Sequence, residues 1–176
     1  MSYFSKFPKL VYDIKGNGND ALFTHILKRV KLHSAASANS KVFDYYQVVE
    51  GEKPEDIAHK YYGDANYHWV ILLVNDITDR YHQWPMTVPQ FEQFVADKYS
   101  NPNGLHHYEI SQTSGDTSIK IDVGTSNSNY PTATAITNFE YEQEQQDSKR
   151  KIRLLDPIYI DPFVEEFKSL MNESII

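Results

Sequence analysis

Seven histidines and twenty-four carboxylates are the side chains in this chain with the chemistry for metal binding or proton transfer, so their spacing decides whether either is built in. His106 and His107 form the only tight histidine pair. No His-x-x-x-His, the spacing that sets two imidazoles on one helix face, falls on a predicted helix. His59 and His68 have Asp56 and Asp64 nearby, which reads as acid and imidazole solvated on an exposed face. Glu140, Glu142 and Glu144 resemble a carboxylate pair for glycoside cleavage, a chemistry in which an apolar pocket must raise one pKa. They lie in a hydrophilic segment without such a pocket and read as a solvated face. Gly16-Asn-Gly18 lacks the third glycine and the lysine of a phosphate loop, and no Gly-x-Ser-x-Gly elbow occurs. The absence of cysteine removes disulfides, zinc-thiolate sites and a thiolate nucleophile. No catalytic, metal-binding or cofactor-binding residue is assigned, and the chain reads as a non-enzyme.

Bulk properties narrow the partners. Seventeen basic and 24 acidic residues give a net charge of −7, which argues against nucleic acid, since phosphate binding needs a clustered positive surface. The longest apolar run, Trp69 to Val74, is far short of a bilayer span, and Met1 to Lys9 has no apolar stretch of the kind a secretion signal carries, so no membrane partner is expected. Aromatic residues make up 14% of the chain, with thirteen tyrosines. Tyr is amphipathic and is favoured where surfaces are buried between chains as well as within them.

The elements that must position these residues follow from periodicity. Tyr3 to Ile14 reads as an extended arm that has to bury Phe4, Phe7, Leu10, Val11 and Tyr12 somewhere. After the Gly16-Asn-Gly18 turn, Phe23, Ile26, Leu27 and Val30 repeat at i, i+3, i+4 and i+7, which predicts a helix from Asn19 or Asp20 to Leu32. Residues 34–40 are small and polar and read as a linker. The run Val42 to Val49 predicts a strand ending at Gly51. A short helix follows with Ile57, Ala58 and Tyr61 on its buried stripe, stopped by Gly63. A second helix, Asn66 to Val74, starts at an Asn cap. Thr87 and Gln90 have capping-box spacing and Pro89 fits a first turn, so a third helix carries Phe91, Phe94, Val95 and Tyr99 up to the Asn101–Gly104 breaker cluster. Tyr108, Ile110, Ile119, Ile121 and Val123 alternate as a two-stranded ribbon. Residues 124–138 read as a long polar loop, and Glu140 to Ile152 as a helix with acids first and bases last, including an Asp147–Lys151 pair. A final helix starts at Asp161-Pro162 and buries Phe163, Phe167, Leu170 and Met171. The resulting class is α+β, divided as 1–40, 41–100 and 101–176.

The stretch Tyr46, Gly51, Ile57-Ala58, Gly63 and Trp69 to Asn75 resembles a LysM module, a family that binds N-acetylglucosamine polymers such as chitin and peptidoglycan. The resemblance implies a central LysM-like strand-helix-helix unit, flanked by the N-terminal arm, a small β ribbon and C-terminal helices. It places the glycan-contacting loops at Gly51, Glu52 and Lys53 and at Asn75, Asp76 and Ile77. The family's closing Pro-Gly turn and final strand are not recognisable after Ile77.

Other pieces extend the likeness over most of the chain: Tyr3-Phe4-Ser-Lys-Phe7-Pro8 with Val11-Tyr12-Asp13, then Tyr61 to Asp64, Trp84-Pro85-Met86, Lys98-Tyr99 and His106 to Glu109. Thr137 to Glu142, Lys149 to Leu155 and Tyr159 to Phe167 complete it. In order and spacing these resemble the small LysM-containing baseplate wedge proteins, the gene fifty-three family of T-even-type contractile-tailed phages. The resemblance implies a structural subunit of the virion's tail baseplate, assembled in the host cytoplasm, that binds the wedge core and helps join adjacent wedges around the tail hub. Its partners would be other baseplate wedge proteins, with the LysM-like unit turned to docking. The alternative is a LysM module tethering a tail or lysis component to peptidoglycan. Phe4, Phe7, Tyr12, Trp84, Tyr159, Phe163 and Phe167 are the large anchors expected at a protein interface. Lys149, Arg150, Lys151 and Arg153 either meet an acidic partner or complement a helix end. The arm Tyr3 to Tyr12 is expected to serve assembly rather than folding.

Overall fold

Gly16 and Gly18 stand at φ 63° and 80°, backbone that L side chains rarely adopt, and they reverse the chain into a hairpin. The Asp13 carboxylate fastens the turn by accepting from the Lys15 and Gly18 amides at 3.0 and 2.6 Å. In the computed structural model, which describes residues 3–31, 40–113, 115 and 118–173, this hairpin pairs β1 (Lys9–Tyr12) with β2 (Ala21–Thr24). The helix expected from Asn19 or Asp20 is therefore not formed through Lys31; Leu32 and most of the expected linker lie outside the described residues. Once the glycine turn folds the chain back, Leu22 and Phe23 find cross-strand partners in Val11 and Leu10. An isolated stripe of four apolar residues offers no comparable packing, and a short helix without it is marginal.

The chain is mixed α+β and divides into two compact units, one running to Gln83 and resuming at Lys151, the other spanning Trp84–Arg150. In the first unit β3 (Phe43–Gln47) is followed by α1 (Pro54–Tyr62), a 3-10 turn (Ala65–Tyr67), α2 (His68–Val74) and the short α3 (Arg80–Gln83). Gly63, at φ 78°, closes α1 with its amide donating to the His59 carbonyl. Asp64, rather than Asn66, caps the next turn, its carboxylate accepting from the Asn66 amide at 2.8 Å. A strand from far along the chain, β7 (Lys151–Leu155), pairs antiparallel with β3 in a register that sets Phe43 opposite Leu155 and Tyr46 opposite Ile152. The helix α6 (Ile160–Glu173) begins one residue before the expected cap. The core joins residues from both ends of the unit: Phe7, Phe43, Trp69, Val70 and Val74 with Leu155, Ile160, Val164, Phe167 and Met171. Leu170, expected inside, is 41% exposed.

In the second unit Thr87 and Gln90 form the expected capping box at the start of α4 (Val88–Lys98), which buries Phe91 and Val95. The ribbon forms between β4 (Leu105–Ser111) and β5 (Lys120–Asp122). The polar stretch after it contributes a third strand, β6 (Thr134–Thr137), on the other side of β4. The helix α5 (Asn138–Arg150) follows, and Lys151 already belongs to β7, so Asp147 meets Arg150 at 3.9 Å instead of Lys151. The buried face of α5 is polar. Glu142, read above as solvated, is 4% exposed, with Lys98 Nζ and Tyr99 Oη each donating to its Oε1 at 2.7 Å.

Candidate functional site

The two expected glycan loops are built as turns whose polar groups bond within the chain. Gly51, at φ 75°, turns β3 toward α1, and the Glu52 amide donates to the Val49 carbonyl. The Glu52 carboxylate accepts from Tyr46 Oη at 2.9 Å and from the Val49 amide at 3.1 Å, with Lys60 Nζ 3.8 Å away. Lys60 also donates to Tyr46 Oη and lies 5.4 Å from its ring centroid. The Lys53 amide donates to Asp56, so the first turn of α1 is capped from within.

On the other side, α2 ends in a Schellman motif. The Ile77 amide donates to the Leu72 carbonyl at 2.8 Å and the Asp76 amide to Leu73 at 3.2 Å, with Asp76 at φ 54° in the left-handed position. Asn75 uses both its amide hydrogens and its amide oxygen. Its Nδ2 donates to the Ile71 and Arg153 carbonyls at 2.8 and 2.7 Å, and its Oδ1 accepts from the Arg153 amide at 2.8 Å. Arg153 then donates to the Val74 carbonyl and lies over the Phe43 ring. Asn75 is thus a clamp between the end of α2 and β7, and Arg153 serves the same joint.

The anchors expected at an interface separate into two groups. Phe7, Phe167 and Trp84 are buried, and Phe163 is half-buried against Trp69. Tyr3 and Phe167 lie against the Trp69 ring with centroids 5.4 and 4.6 Å away, Phe7 meets Tyr3 edge-on at 4.9 Å, and Lys6 Nζ is 5.3 Å from the Trp69 centroid. Burial lowers the Lys6 pKa, with the Lys168 charge adding to the effect and Asp64 opposing it. The start of the arm is therefore part of the core rather than a free docking segment. Phe4, Tyr12 and Tyr159 remain accessible, at 56%, 63% and 43% exposed.

Around Tyr12 the hairpin exposes far more apolar surface than the expected anchors account for. On one face Val11 and Leu22 sit opposite one another, each 66% exposed; beyond the strands Ile14, Ile26 and Leu27 are also out in solvent. Among the described residues the hairpin is held at its roots. Phe7 precedes it in the core, and after it Val30 packs against the core while Lys28 Nζ donates to the Met171 carbonyl at the end of α6. The sequence signal for this surface was the density of apolar residues on both sides of a glycine turn, which the helical reading of residues 19–32 had turned inward.

In the second unit His106 stacks on Tyr141 with ring centroids 3.9 Å apart, and its Nδ1 lies 2.8 Å from His107 Nδ1. His107 Nε2 is in turn 2.9 Å from Glu109. Among the described residues no three His, Cys, Asp or Glu side chains are grouped so as to hold a metal ion, and no helix is long and apolar enough to cross a membrane.

The chain is similar to Baseplate wedge protein gp53 of Enterobacteria phage T4, at 23% identity over 144 residues, 73% of this chain and 74% of that protein. The family described as Base plate wedge protein 53 matches residues 2–173, nearly the whole chain, and this protein belongs to that family.

Proposed function

We propose that this structural protein of the phage baseplate wedge docks onto other wedge proteins through its projecting hairpin and helps join adjacent wedges around the tail hub. The observation that carries the reading is the β1–β2 hairpin, rooted in the core at both ends and exposed on both faces. Apolar surface of this extent is unfavourable on a free protein and is expected where a partner covers it. Phe4, Tyr12 and Tyr159 are exposed aromatic residues of the same unit. Assembly in the host cytoplasm as part of the virion follows from the same reading.

The unit of β3, α1, α2 and β7 is read as LysM-like in its strand-helix-helix-strand order, its closing strand supplied from beyond the second unit. Supporting a docking rather than a glycan role, the polar groups of Tyr46, Glu52 and Asn75 are engaged within the chain. The test adds purified full-length chain to wedges prepared from phage unable to make it. Co-sedimentation with the wedges and recovery of closed baseplates by electron microscopy are expected. Baseplates that close equally well without the chain would refute the proposal. A parallel incubation with insoluble peptidoglycan is expected to leave the chain in the supernatant, and sedimentation there would favour the wall-binding alternative.

A further inference from the structure

We infer that the β1–β2 hairpin is completed along an open edge by an extended, acidic segment of another baseplate wedge protein. This rests on the function proposed above and specifies the surface and the chemistry of its occupant.

Backbone comes first. The sheet holds two strands of four residues each, and among the described residues each strand has one side without a strand partner. Such a ribbon is marginal alone, and its free amides and carbonyls are a template on which an extended peptide can add as a third strand. Side chains supply the affinity. Of 20 large apolar residues that are exposed among the described residues, nine lie within residues 3–31, among them the cross-strand pair Val11 and Leu22. An added strand would set its own alternate side chains beside that pair.

Charge selects the occupant. Of the chain's 17 basic and 24 acidic residues, six and two respectively fall in residues 3–31. The remainder therefore carries twice as many acids as bases. Of the two acids near the hairpin, Asp13 has its carboxylate taken up by turn amides. Of the six bases Lys6 is buried over Trp69 and Lys28 is held at the Met171 carbonyl, so the basic excess near the ribbon comes from Lys9, Lys15, Arg29 and Lys31. A basic, apolar segment on an otherwise acidic molecule attracts acidic segments while the body repels them, which steers the partner to the hairpin.

The experiment measures amide hydrogen exchange of the full-length chain alone and in the reconstituted wedge, with affinities for two double variants. Val11→Ser with Leu22→Ser removes the apolar pair, and Lys15→Glu with Arg29→Glu reverses charge at exposed positions; both are expected to keep the wild-type circular dichroism and melting profile. In the complex, exchange at residues 9–12 and 21–24 is expected to slow by at least about tenfold. Each double variant is expected to bind the wedge at least about tenfold more weakly. Failure of the wild-type chain to bind wedges at all would bring down the functional proposal and this inference with it. Full binding with unprotected hairpin amides and unimpaired variants would overturn only the inference. Self-association lost in the Val11/Leu22 variant would assign the hairpin to a second copy, and wedge-independent capture by anionic phospholipid vesicles would assign it to a membrane surface. Either result overturns it.

Discussion

Asn75 shows how one side chain can close a fold. Its amide satisfies two carbonyls and one amide group at a partly buried joint between α2 and β7, and replacing it leaves the Arg153 amide and carbonyl facing a void. Asn75→Ala is expected to cost about 2–3 kcal/mol, the usual consequence of orphaning such groups, read as a lower urea midpoint with an unchanged slope. Glu142 acts by charge. Burial pushes its carboxyl up, but the hydrogen bonds from Lys98 and Tyr99, with the Lys98 charge, outweigh burial and hold the pKa below the ordinary 4.5. Since the folded-state pKa is depressed, the stabilisation is present in full above 4.5 and is lost as pH falls through the folded-state value. Glu142→Gln is therefore expected to be less stable than the parent at pH 7, with the gap closing as the pH is lowered below 4.5 in denaturant titrations.

At the scale of elements, the arm divides its work between folding and docking. Phe7 belongs to the cluster around Trp69, so Phe7→Ala is expected to cost about 3 kcal/mol, whereas exposed Phe4→Ala should cost less than about 1 kcal/mol; thermal unfolding of the two variants decides it. The elements legible in the sequence were those with local signals. Gly63 as a helix stop, the Thr87 and Gln90 box, and the Ile57-Ala58 stripe each need only a few neighbouring residues to act. The misread ones depend on distant partners. Residues 21–24 become a strand because β1 is waiting across the turn, and residues 134–137 do so because β4 has an open side. Glu142 looked solvated because its partners come from α4 and the residue after it, more than forty positions earlier. Burial of Phe7, Trp84 and Phe167 likewise depends on packing that no spacing rule reports, and the exposed hairpin lies beneath an apparent helical stripe.

For the whole molecule, the decisive fact is that the first unit is assembled from both ends of the chain. Among the described residues β3 finds its only strand partner in residues 151–155, and half of the core cluster, Leu155 to Met171, lies beyond the second unit. A fragment of residues 41–100, which contains β3, α1, α2 and α4, would expose one face of Trp69 and leave Phe43 without Leu155 opposite it. It is expected to show no cooperative thermal transition, and a chain ending at Arg150 should likewise lose the near-ultraviolet dichroism of Trp69 and its neighbours. A sharp transition in the 41–100 fragment would mean that strand and helices close a core without β7. The expectation to the contrary follows from sequence separation: Asn75 and Arg153 are joined by two hydrogen bonds across 78 positions, and Arg153 adds a third to the Val74 carbonyl, so the joint forms only once the C-terminal segment is present. Because β1 and β2 are rooted in that same core through Phe7 and Val30, loss of the C-terminal segment is expected to disable wedge binding even with every hairpin residue intact.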